Sequence, residues 1–133
     1  MPSRAVATVA LLVRDYDEAL AFFCGALGFA RLTDNDLGNG KRWVTVAPAN
    51  GGAALLLAKA VGDAQVARIG DQTGGRVGFF LETNDFARDH AAFTAAGVRF
   101  LEALRHESYG KVAVFADLYG NRWDLIEPAK SDT

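Results

Sequence analysis

The sequence predicts an α+β fold in which one βαβββ unit occurs twice. Three observations predict it: apolar runs of strand length between turn residues, two amphipathic helices that each stop at a glycine, and an offset of 68 residues that carries the first set of elements onto the second.

Residues 5–13 (AVATVALLV) form a continuous, valine-rich apolar run and read as a buried strand, ended by Arg14-Asp15. Asp15 can cap a helix, and Tyr16, Ala19, Leu20, Phe23 and Leu27 follow at helical spacing. Gly28 ends that helix where left-handed angles are favoured. Residues 29–32 read as a second strand and the polar segment DNDLGNGK, residues 34–41, as a turn. Two further strands, residues 42–47 and 53–58, flank Asn50-Gly51-Gly52. Residues 61–75 lose the pattern and read as a connection. A strand over 76–81 follows, then a helix opened by Asn84-Asp85 with Phe86, His90 and Phe93 on one face, and Gly97 ends it. Residues 98–101 are a short strand, and Leu104, Arg105 and His106 a loop. Strands 112–116 and 122–127 close the chain as a hairpin about Gly120-Asn121, a pair suited to positive backbone angles.

Thr8-Val9-Ala10 falls on Arg76-Val77-Gly78, and the segment from Ala54 to Leu57 on that from Arg122 to Leu125, at the same offset of 68; Gly28 and Gly97 are 69 apart. The chain therefore reads as one domain, residues 1–133, of two modules, residues 5–60 and 76–128. Each module can bury one sheet face under its helix, leaving the other faces to form a shared trough. With Val9, Leu11 and Val13 toward the helix, alternation turns Thr8, Ala10 and Leu12 to the trough, joined by Ala54, Leu56, Ala58, Arg76, Gly78, Phe80, Arg122, Asp124 and Ile126. Apolar lining with one carboxylate and two guanidiniums suits a small-molecule pocket. The same faces would also serve as a second core or a dimer interface.

Composition narrows the partners. Half of the 133 residues are apolar, and 14 Lys and Arg against 16 Asp and Glu leave a net charge of -2 with no basic block, which argues against nucleic acid. Cys24 is the single cysteine, so neither an intramolecular disulfide nor a cysteine zinc cluster can form within the chain, and its place on a helix reads as small core. No signal-peptide pattern or membrane-length apolar run is present, and a cytoplasmic location is expected. His90 reads as a packed histidine and His106 as a loop residue able to contact a ligand.

The stretches VALLVRDYDEALAFFCGALGF, residues 9–29, and YGKVAVFADLYGNRWDLIEP, residues 109–128, resemble the vicinal oxygen chelate superfamily, which contains glyoxalase I, extradiol dioxygenases, and fosfomycin and bleomycin resistance proteins. The resemblance spans nearly the whole chain. It implies paired βαβββ modules in a cupped, eight-stranded mixed sheet with helices on the outer face, commonly as a homodimer. In metal-dependent members, four trough-facing positions supply histidine and carboxylate ligands; the matching positions here hold Thr8, Leu56, Arg76 and Asp124. Only Asp124 keeps ligand chemistry, since leucine has no donor atom, arginine repels a metal ion and threonine is a poor neutral ligand. No metal or cofactor is therefore expected. The resemblance then implies a small-molecule-binding protein with a degenerate metal site. Arg76 would hold the carboxylate or phosphate of an anionic ligand, Asp124 would orient it, and Trp43, Phe80 and Tyr109 would wall its apolar body. An Arg76–Asp124 salt bridge is the structural alternative. The functional alternatives are a lyase, isomerase or dioxygenase-type enzyme, with Asp124 as general base or with a different metal set, and a non-catalytic interaction subunit.

Overall fold

Two mixed sheets, one in each of two units, carry the repeat; the structure is a computed structural model that describes residues 1–130. The first unit, Met1–Ile69, contains β1 (Thr8–Val13), α1 (Tyr16–Leu20), β2 (Ala30–Gly38), β3 (Lys41–Ala47), β4 (Ala54–Lys59) and a short helix, α2 (Gly62–Val66). Its strand order is β1-β4-β3-β2, with β1 parallel to β4 and the other pairs antiparallel. The Asp15 carboxylate accepts from the Glu18 backbone N–H at 2.9 Å and starts α1, which continues as a π-helical turn over Ala21–Ala26. Tyr16, Ala19, Phe23 and Leu27 are buried on the side facing β3 and β4, in one core with Leu11, Val13, Val44, Val46, Leu55 and Leu57. Gly28, at φ 72°, turns the chain out of the helix as its sequence position requires.

The polar segment 34–41 is mostly strand and only its tip is turn. Asn39 and Gly40 take φ 56° and 79°, the paired positive angles of a two-residue hairpin, and such a turn zips Asp34, Asn35 and Asp36 against Val44, Trp43 and Arg42. Because β2 lies at the sheet edge, its polar side chains remain in water. Arg42 then ties strand to helix. Its guanidinium grips Asp34 through two bonds of 3.1 and 2.7 Å, reaches Asp17 at 2.9 Å and sits 5.1 Å from the centre of the Tyr16 ring.

The second unit, from Gly70 onward, contains β5 (Val77–Glu82), α3 (Phe86–Ala95), β6 (Arg99–Phe100), β7 (Arg105–Glu107), β8 (Gly110–Ala116) and β9 (Arg122–Pro128). Its order, β5-β9-β8-β6, repeats that of the first unit, again with the first strand parallel to the last. This is the expected α+β class. The sheets hold four and five strands, because residues 105–107 add a strand where a loop is expected. Ser108-Tyr109 folds β7 back on β8, a turn hidden by the charged residues around it. Asp85 caps α3, and Phe86 and Phe93 face the core. The rings of Phe79, Trp123, Phe115 and Phe100 follow one another across four strands, with successive centroids 4.6, 5.8 and 5.6 Å apart. His90 packs between Phe86 and Phe100, as a core-edge histidine.

The turn of the last hairpin also differs from expectation. Gly120 takes a positive φ of 100° but Asn121 does not, because Asp117 holds it from inside a five-residue loop. Asp117 Oδ1 accepts the backbone N–H groups of Tyr119 and Asn121, both at 3.0 Å, and Oδ2 accepts the Trp123 indole N–H at 3.0 Å and the Asn121 amide at 3.1 Å. The connection ahead of β5 is seated on this turn. Gly70, at φ 79°, lies so close that a Cβ would overlap the Tyr119 carbonyl oxygen, and the Gln72 N–H donates to Asn121 Oδ1 at 3.3 Å. Gly70→Ala is expected to cost about 1–3 kcal/mol, seen as a lower urea midpoint at unchanged slope.

Candidate functional site

The sheet face away from the helix carries Thr8, Leu56 and Trp43 in the first unit and Phe80 and Asp124 in the second. In the first unit, register sets Ala10, Leu56, Thr45 and Thr33 in one row across β1, β4, β3 and β2, and the Thr33 and Thr45 hydroxyls share a hydrogen bond of 2.7 Å. Thr8, exposed, starts the same face of β1 opposite Ala54. Trp43 lies two residues from Thr45 on β3 and so shares its side, opposite Asn35 and 44% exposed. Thr8, Leu56 and Trp43 thus occupy one sheet face.

In the second unit the alternation expected from Arg76 onward is interrupted. Val77 pairs with Arg122 and Phe79 with Trp123, so Gly78 is an extra residue in β5 and Arg76 lies ahead of the strand, exposed. Gly78 has a local reason to be glycine, since a Cβ there would overlap the Thr73 methyl group. The bulge brings Phe80 directly opposite Asp124, which pairs in turn with Val114. Phe80 is 64% exposed and Asp124 only 9%.

Asp124 is the anomaly of this face. Its Oδ1 is buried without a hydrogen-bond partner, and no ion pair joins it to Arg76 among the described residues. Burial pushes the carboxyl pKa up; Arg105 opposes that shift and Glu102 adds to it. Arg105 is itself occupied, donating to Glu102 at 3.0 Å and to Glu107 at 2.8 Å, with Tyr109 as a further hydrogen-bond partner that helps hold its charge. Glu102 also accepts the Val114 N–H at 3.0 Å. Tyr109 is half exposed in the turn before β8. His106 is exposed on β7 opposite Lys111, on the side away from its neighbour Arg105. Arg105 and Glu102 are absent from the sequence-derived set. The available signal is the alternation of Arg105 and Glu107 ahead of Tyr109-Gly110, which is weak for a strand because both residues are charged.

Among the described residues no three histidine, cysteine, aspartate or glutamate side chains gather into a metal-binding group, whereas a divalent ion takes about three protein ligands in a catalytic site.

Comparison with known proteins agrees with this architecture. Residues 5–125 match the family model of the Glyoxalase/Bleomycin resistance protein/Dioxygenase superfamily. An uncharacterised protein of Shewanella frigidimarina is 44% identical over 126 residues, 93% of each chain. Among solved structures, UcmS2 is 27% identical with a TM-score of 0.81, covering 96% of this chain and 99% of that one. TnmS3, described as an antibiotic binding protein from Streptomyces sp. CB03234, is 27% identical with a TM-score of 0.77, covering 97% and 99%.

Proposed function

We propose that this chain, which belongs to the glyoxalase/bleomycin resistance protein/dioxygenase superfamily, binds a small organic molecule and sequesters it without transforming it. Asp124 carries this reading. A buried acceptor with no donor is costly in the ligand-free protein, and a ligand N–H or O–H would satisfy it. Within the second unit Phe80 and Tyr109, both exposed, supply apolar contact area near Asp124, while His106, on the other side of β7, is not turned to this face. Arg76, exposed, is the cation available to an anionic group on the ligand. The likeness to an antibiotic binding protein supports the same reading. A degenerate metal site, a homodimeric state and a cytoplasmic location complete the proposal.

Thermal melts against a panel of aromatic natural products test it. A binder present at a hundredfold excess over its Kd is expected to add about 2.7 kcal/mol of stability. The compound should return with unchanged mass, and chelator treatment should leave the shift intact. A product of altered mass would instead favour a lyase or isomerase. That second reading has one observation behind it: a carboxyl pushed up by burial is a better general base than an ordinary surface aspartate.

A further inference from the structure

We propose that Asp124 and Phe80 form a subsite for a protonated amine, so that the ligand carries a basic nitrogen at this point. The inference deepens the binding reading above and rests on it. The pair is built by register. Phe80 stands beside Asp124 on neighbouring parallel strands, with its ring largely open to solvent, and the Gly78 bulge makes it Phe80 and not Phe79 that stands there.

The charges around the pair select the sign of the ligand group. Glu82 follows Phe80 on the same side of β5, and Glu102 and Glu107 both hold Arg105, so that guanidinium is committed to two other carboxylates. Arg122, exposed at the start of β9, and Arg99, exposed on β6 opposite Ala116, are the other cations that register turns to this face, three guanidiniums against the carboxylates of Glu82, Glu102, Glu107 and Asp124. Asp124 keeps an acceptor oxygen with no donor. An anion would meet an excess of carboxylates, and a neutral hydroxyl would supply a donor without charge. An ammonium supplies both, and the face of the Phe80 ring attracts a cation as well.

Three probes on one scaffold separate the alternatives: 1-naphthylmethylamine, 1-naphthalenemethanol and 1-naphthoate, titrated by calorimetry at pH 7. The amine is expected to bind about tenfold or more tightly than the alcohol, with naphthoate weakest. Asp124→Asn should bring the amine to the level of the alcohol, and Phe80→Leu should weaken the amine by about threefold while leaving the alcohol nearly unchanged. Circular dichroism checks that both variants are folded. Naphthoate binding as tightly as the amine, or an amine affinity indifferent to Asp124→Asn, would overturn the amine subsite and leave the binding reading standing. Failure of all three probes to bind would count against the binding reading, and the subsite would fall with it.

Discussion

Asp117→Ala is expected to destabilise the protein by about 3–5 kcal/mol, enough to unfold many domains of this size. The side chain accepts from four N–H groups, two on the backbone of the turn, one on Asn121 and one on the Trp123 indole. Alanine would leave these donors without their acceptor at a turn whose two ends, Asp117 and Asn121, are buried, and the loss would spread. Trp123 stacks between Phe79 and Phe115, so freeing its indole loosens the aromatic row that spans the second sheet. Urea unfolding followed by tryptophan fluorescence measures the effect. A loss below about 1 kcal/mol would show that water replaces the carboxylate and that the turn is held by other means.

Asp124→Asn is expected to act in the opposite direction, raising the melting temperature of the ligand-free protein at pH 7 by about 3–6 °C. Asp117 and Asp124 lie on one hairpin and both are buried, but Asp124 has an oxygen that none of the described residues satisfies. Removing its charge removes the cost of keeping a carboxylate out of water. The pH dependence has a definite sign. The folded-state pKa of Asp124 lies above the unfolded value of about 3.9, so its stabilising contribution is complete below that value and is lost as pH rises through the folded-state pKa. The wild-type protein should therefore lose stability relative to Asp124→Asn across that interval, and the two should converge in acid. A variant less stable than wild type at pH 7 would show that the carboxylate has a structural partner. A more stable variant that no longer prefers amines would show stability given up for binding.

The fold was legible because its signals are local. Asp15 and Asp85 cap the helices they precede, Gly28 and Gly97 end them at positive φ, and apart from β1, which starts at Thr8 and not at Ala5, and the extended β2, the apolar runs became strands within a residue or two of their expected bounds. The extended β2 and the added β7 were hidden because both are polar strands at or near a sheet margin, where pairing depends on a two-residue turn and not on burial. For the site, alternation placed Asp124 and Phe80 correctly on one face of the second sheet. It failed at Arg76, because the extra residue at Gly78 shifts the count and no pattern of side chains announces a bulge. Arg105 and Glu102 were missed for another reason. Their relation to Asp124 is one of charge across strands distant in sequence, which periodicity cannot report.

The parallel pairing of the first and last strand in each unit also sets an order of assembly. β1 cannot complete its ladder until β4 exists, and β5 waits in the same way for β9. A chain emerging from the ribosome has every strand of its first sheet by Lys59, while the second sheet stays open until residues 122–128 appear. Long-range closure of this kind slows folding and leaves strand edges unpaired meanwhile. A chain stopped short of Arg122 would retain the first sheet whole and present the open edges of β5 and β8 to any neighbour able to pair with them.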